Sequence, residues 1–388
     1  MDFSESEDHR LIRAAVRDVC GRFGDDYWSR CDEAHEFPWE FYREMAKGGW
    51  IGIAMPERYG GGGQGIAAAS IVLEEVAASG ACMNGASSIH LSIFGMHPVV
   101  LHGSDELRDR LLPRVASGEL HVAFGVTEPD AGLDTTAIST RAVLDGDHYV
   151  VHGRKVWTSK AIESDVVLLL VRTTPRDQVT RPTDGLTLLV ASLKDPAVQI
   201  SAIPKLGRNA VASCEVVYDG LHVPARDRVG EAGCGFRYLL DGLNAERVLV
   251  AAEALGIGRA GLRRAVRYGN EREVFGRPIG MNQGLQFPLA DSLAHLDAAE
   301  LVLRKATWLY DHGRPCAREA NTAKYLCADA GFTAADRALQ VHGGMGYAEE
   351  YHVARYFREA RLTRIAPLSQ EMVLNYLGEH VLKLPRSY

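Results

Sequence analysis

The feature that most constrains this chain is a double switch in the spacing of its apolar residues. Over residues 5–116 they recur at helical intervals, as in Leu11, Ala14, Ala15 and Val19, or Ile71, Leu73, Val76 and Ala77. From about His121 to Val229 the period drops to two, in short runs at 148–152, 166–171, 185–191, 198–203 and 214–218 separated by Asp-Gly turns. From Gly235 the helical period returns, punctuated at Gly276-Arg277-Pro278, Gly313-Arg314-Pro315 and Gly343-Gly344. Blocks of helices, strands and helices predict an α+β fold, not the alternating order of a nucleotide-binding parallel sheet. We expect an N-terminal α-helical domain over 1–120, a middle β-barrel or sandwich domain over 121–230, and a C-terminal four-helix bundle domain over 231–388.

Composition narrows the function classes. A net charge of -7 over 388 residues gives no basic footprint for nucleic acid. The acidic start lacks a signal-peptide pattern, and the longest strongly aliphatic run, 166–171, is far short of a membrane span, so a cytoplasmic protein is expected. Seven widely spaced cysteines with no C-x-x-C pair predict reduced thiols, with neither a disulfide framework nor a metal site. Gly60 to Gly63 precede no Lys-Ser/Thr, and Gly343 to Gly346 follow a helical stretch, so neither reads as a P-loop or dinucleotide fingerprint. The first cluster reads as a turn.

The helix around Asn244 carries the most chemistry. At about 100 degrees per residue, Leu239, Leu243, Val250, Ala254 and Ile257 form one stripe, with Glu246 and Glu253 near its centre. A carboxylate on an apolar face is seldom buried unless paired. It is either a general base held in a dry pocket or half of a buried salt bridge, to Arg247 or to the later ladder Arg355, Arg358, Arg361 and Arg364.

Five segments give the chain a family likeness. They are 124–134 (Phe-Gly-Val-Thr-Glu-Pro-Asp-Ala-Gly-Leu-Asp), 153–159 (Gly-Arg-Lys-Val-Trp-Thr-Ser), 271–277 with Gln283, 340–347 (Gln-Val-His-Gly-Gly-Met-Gly-Tyr) and 355–361. Colinear over nearly the whole chain, they resemble the acyl-CoA dehydrogenase flavoproteins. The resemblance implies FAD between the β-domain and the C-terminal helices of a homotetramer. It places Phe124, Val126, Thr127, Gly132 and Leu133 along the cofactor, Trp157, Thr158 and Ser159 over the flavin, and Ser369 and Glu371 on its polar side. Arg272, Phe275, Gln283, Gln340, Gly343 and Gly344 would hold the diphosphate and adenine end for the adjoining subunit.

Two positions depart from the family pattern. Leu133 stands where a serine usually binds the cofactor phosphate, and Ala366-Pro367-Leu368-Ser369 stands where most members carry a catalytic glutamate. The chain resembles instead the isovaleryl-CoA and long-chain subset, whose base precedes an arginine on the helix after the β-domain. Leu243-Asn244-Ala245-Glu246-Arg247 has that order. The resemblance thus implies α,β-dehydrogenation of an acyl thioester, on CoA or a carrier protein, with Glu246 as base, Arg247 orienting it, and electron-transfer flavoprotein as acceptor. Glu253 is the fallback base and Glu371 a third candidate; Leu133, Asn244, Arg247, Pro367 and Leu368 would touch the substrate. Pro367 has no N–H to polarise a thioester carbonyl, so either a shifted register lets Leu368 donate, or the flavin carries more of the activation, or the reaction is not ordinary dehydrogenation. A flavin-dependent monooxygenase of the same fold and a catalytically decayed scaffold are the competing expectations.

Overall fold

The computed structural model describes residues 5–387. Among the described residues the α-helices that come first are α1 (Glu7–Cys20), α2 (Asp25–Ala34), α3 (Trp39–Lys47), α4 (Gly65–Val76), α5 (Cys82–Phe94), α6 (His97–His102) and α7 (Asp105–Ala116). Their starts follow local chemistry. Ser6 and Ser104 cap α1 and α7 by accepting the N–H of His9 and Leu107, and acidic residues fill both first turns. The stretch Gly65–His102 is apolar and long enough to cross a membrane, but 89% of its most apolar window is buried inside the protein. The cluster at Gly60 is a turn: Gly60 has φ 79°, and a Cβ on Gly61 would strike the Met55 carbonyl.

The chain then forms one mostly antiparallel sheet from β1 (Val122–Gly125), β2 (Arg141–Asp145), β3 (His148–Ser159), β4 (Val166–Arg172), β5 (Leu186–Ser192), β6 (Val198–Ala202), β7 (Ser213–Pro224) and β8 (Arg228–Val229). Its order is β6-β7-β3-β2-β4-β5-β8, with β1 parallel to β4. Strands β4 and β5 are buried on both faces, which explains their unbroken apolar runs. Leu168, Leu170 and Leu188 belong to one core cluster with Leu111 and Leu112 of α7, while Val167, Leu169 and Leu189 join the sheet's own core with Tyr149 and Val216.

The last part holds α8 (Gly235–Glu271), a hairpin of β9 (Glu273–Val274) and β10 (Arg277–Pro278), α9 (Gln283–Asp311), α10 (Ala317–His342), α11 (Val353–Thr363) and α12 (Gln370–Tyr376). The three-part order of helices, sheet and helices is the one the periodicity predicts. One feature exceeds that reading: every residue from Val248 to Gly258 is buried, so α8 is apolar-faced all round in its middle and not along one stripe. It passes through the main core among α4, α5, α9, α10 and α11, and that position forces Glu253 to find a partner.

Candidate active site

Glu246 and Glu253 lie seven residues apart on α8, two turns, so both project from one face. Opposite them stands His90 of α5. Its Nε2 lies 2.8 Å from Glu246 Oε2 and its Nδ1 lies 2.7 Å from Glu253 Oε1. His90 and Glu253 are buried, whereas the Glu246 side chain remains 24% exposed. Burial alone would push the imidazole down, but the two carboxylates outweigh it and hold it well above its ordinary 6.5. The buried partner of Glu246 is therefore His90, a residue the sequence reading missed.

This corrects two expectations. Arg247 does not hold Glu246; its Nη1 donates to Asn244 Oδ1 at 2.9 Å, because one turn of helix brings those two side chains together. The arginine ladder is also engaged elsewhere. Arg355 donates to Gly80 O and lies 3.6 Å from Glu359, Arg358 bridges Asp32 and Glu349, Arg361 lies over the Phe332 ring, and Arg364 pairs with Asp329. Glu253, the fallback base, is buried behind His90, with Oε2 lacking a hydrogen bond among the described residues.

Arg247 lies near the predicted substrate segment by way of Lys324 of α10. The Lys324 ammonium donates to Leu368 O at 2.6 Å, and burial pulls it to about 8. Arg247 and Glu371 are among the charges it faces. Ser369 caps α12 by accepting the Met372 N–H, which occupies its hydroxyl oxygen, and Glu371 sits in the exposed first turn. Pro367 and Leu368 form the approach to that cap.

The proposed flavin residues are brought together by a strap between β1 and β3. Thr127 O accepts the Val156 N–H at 2.9 Å, and Val126 O accepts from Lys155 Nζ at 2.9 Å, which sets Phe124, Val126 and Thr127 beside the end of β3. There β3 bulges between Lys155 and Thr158 against β7. Trp157 takes φ 60° and stays 56% exposed, a strained placement for a bulky residue that leaves an indole face open. Thr158 Oγ1 is buried without a partner among the described residues, and Ser159 Oγ accepts from Arg208 Nη2 at 3.0 Å while keeping its own proton to donate. Gly132 and Leu133 lie on an open surface, with space around Gly132 for a bulky neighbour. An open aromatic face and a hydroxyl proton at Ser159 suit the rim of a flavin ring, with the Thr158 hydroxyl buried behind them.

The second predicted cluster sits at the far end of the helical part. Phe275 and Gly276, with φ 54° and 75°, make the two-residue turn of the β9–β10 hairpin and leave the Phe275 ring wholly exposed. Gln283 opens α9, and Gln340, Gly343 and Gly344 close α10, where His342 stacks on Tyr268 of α8. Arg272 is 26 residues beyond Glu246, about 39 Å along α8 at 1.5 Å per residue. Arg272 thus follows the C-terminal end of α8, far along the helix from Glu246. A cavity of about 550 Å³ near Arg17, Arg259 and Arg263 contains neither of them.

Domain models of the acyl-CoA dehydrogenase N-terminal, middle and C-terminal domains match residues 6–119, 123–221 and 233–382. An acyl-CoA dehydrogenase of Mycobacterium tuberculosis is 38% identical over 392 residues, covering 100% of this chain and 99% of that protein. This chain belongs to the acyl-CoA dehydrogenase family. These are flavoproteins, oxidoreductases acting on the CH–CH bond of acyl-CoA, and the family cofactor is FAD. Within the family, the structure of glutaryl-coenzyme A dehydrogenase with glutaryl-CoA matches at TM-score 0.95 and 31% identity, over 100% of this chain and 98% of that one. A chain from work on the electron transferring flavoprotein of Acidaminococcus fermentans matches at TM-score 0.93 and 30% identity, over 99% of this chain and 100% of that one.

Proposed function

We propose that this acyl-CoA dehydrogenase converts an acyl thioester to its trans-2-enoyl thioester with Glu246 as the base. One observation carries the reading: Glu246 is a partly exposed carboxylate at the edge of the core, with one oxygen fixed on His90. A base needs that combination of a fixed orientation and an open oxygen. Glu246 would take the α-proton of the thioester. When bound, FAD accepts the β-hydrogen as hydride. Trp157 would shield the reacting face from water, the Ser159 hydroxyl would hydrogen-bond the ring edge with Thr158 supporting it from behind, and Phe124, Val126, Thr127, Gly132, Leu133, Ser369 and Glu371 would line the rest of the groove. Asn244 and Arg247 would meet the thioester arm. With Pro367 lacking an N–H, the Leu368 N–H would polarise the carbonyl.

We infer further that the cofactor is shared between copies. Arg272, Phe275, Gln283, Gln340, Gly343 and Gly344 lie too far along α8 to reach a flavin beside their own Glu246. A guanidinium for the diphosphate and open glycine backbone suit the nucleotide end of a cofactor bound by a second copy. A homo-oligomer follows, a tetramer by family likeness, with electron-transfer flavoprotein as acceptor and the thioester borne on CoA or a carrier protein. Seven free cysteines, six of them buried, fit a reducing compartment such as the cytoplasm. Anaerobic titration of the FAD-loaded protein with a panel of acyl-CoAs tests the reading. At least one thioester should bleach the flavin band, Glu246→Gln should abolish the bleaching, and silence across the panel would refute it.

A further inference from the structure

His90 and Glu253 are buried titratable groups outside the residues assigned to base, cofactor and thioester. Two ionised carboxylates are acceptors only, so an imidazole held between them at 2.7 and 2.8 Å must donate from both ring nitrogens, and only the imidazolium can. Its Nδ1 contact with Glu253 lies wholly inside the core, and its Nε2 contact reaches the partly exposed Glu246. Charge and direction are thereby passed from a buried anchor to a working group.

We propose that His90, fixed as an imidazolium by Glu253, is the positioning residue that keeps Glu246 ionised and aimed. The role rests on Glu246 being the base. Before reaction the three side chains carry two negative charges and one positive. When Glu246 takes the α-proton, its new C–O–H group is neutral, and His90 and Glu253 remain a matched pair with no charge left over. The other charged groups packed against α5 and Glu246 stand on other elements: three are cations, and the Glu359 carboxyl of α11 accepts the Asn84 N–H of α5 at 3.0 Å. Arg208, between β6 and β7, reaches Ser87 Oγ at 3.5 Å; Lys160, just after β3, donates to Ser88 O and Ser92 Oγ at 3.2 Å; Arg247 neighbours Glu246 on α8. None of them forms an ion pair with either carboxylate among the described residues, so His90 is the direct counter-charge.

The arrangement predicts opposite pH responses. In His90→Gln the two carboxylates face each other without a cation between them, so protonation of the base sets in at higher pH. The acid limb of the kcat/KM profile should rise by about one pH unit or more. In Glu253→Gln the cation is no longer shared, and the same limb should move to lower pH. The proton-transfer step is isolated by following deuterium exchange at the α-carbon of a thioether acyl-CoA analogue that cannot lose a β-hydride, across pD. That exchange should show the same two opposite shifts. If His90→Gln does not fold, the downward shift of Glu253→Gln carries the test alone. Both profiles at the wild-type position, with only kcat lowered, or two shifts in the same direction, would overturn the role. Glu246→Gln run alongside separates the two failures: retained bleaching there removes the base assignment itself, while lost bleaching with unshifted variant profiles removes only the part played by His90.

Discussion

Lys155 and Glu128 decide whether the flavin-side strap holds. Lys155 Nζ lies 2.8 Å from Glu128 Oε1 and also donates to Val126 O, while Glu128 accepts the N–H groups of Ser139 and Thr140. Burial works against the Glu128 charge, but Lys155 overcomes it and brings the carboxyl to about 2; burial dominates for Lys155, which falls to about 8 in spite of Glu128. The close, multiply bonded geometry describes a pair ionised at neutral pH. Glu128→Gln would strand a buried ammonium and cost about 3 kcal/mol in urea denaturation at pH 7. The folded pKa of Glu128 is depressed, so its contribution is complete above its ordinary 4.5 and is lost as pH falls through about 2. The stability gap between wild type and Glu128→Gln should accordingly narrow over that interval. The strap motif is legible in sequence; its dependence on one buried lysine is not, since Lys155 reads there as an ordinary polar strand residue.

Helix α8 shows how far an element can be read from its pattern. The stripe from Leu239 to Ile257 identifies the helix and the Glu246–Glu253 face, but not what packs on it: α10 crosses along the flank of that stripe, at Ala254 and Gly258, at very short range. A Cβ on Gly258 would lie 2.8 Å from Gly331 Cα, and one on Gly331 would strike the Ala254 carbonyl. Alanine and glycine at these positions read as weak hydrophobes in sequence; in the fold they set the interhelical distance that brings α8 deep enough for Glu253 to meet His90. Gly331→Val should therefore cost about 3 kcal/mol by overpacking, seen as a lower Tm. It should also disturb flavin bleaching, because the shift is transmitted to Glu246.

At the scale of the whole molecule, the separation of Glu246 from Arg272 by about 39 Å makes a prediction about assembly. Glu246→Gln leaves a protomer without a base, and Arg272→Ala leaves one that cannot hold a neighbour's cofactor. Each alone should be inactive, the second also losing FAD on gel filtration. Dissociated, mixed and reassembled with added FAD, the two should regain activity, since a mixed pair combines Glu246 from one copy with Arg272 from the other. Mixtures as inactive as their components would count against sharing. The exposed Phe275 ring at the hairpin tip belongs to the same surface, and Phe275→Asp should weaken the assembly while leaving the protomer's far-ultraviolet circular dichroism unchanged.

The sequence by itself determined the order of helices, sheet and helices, the family motifs, and the pair of glutamates two turns apart on α8, because each depends on spacing within one segment. Only the tertiary structure decided what those glutamates face. His90 lies 156 residues from Glu246 and 163 from Glu253, on an apolar helix where a lone histidine reads as a core residue. Local periodicity says which face of a helix is buried, but the side chain that fills the gap opposite depends on how two distant helices cross, and that is set by the packing of the whole core. The physical hint available beforehand was the pair itself: two acids on a buried face require a donor between them, and the fold supplied a histidine rather than the expected arginine.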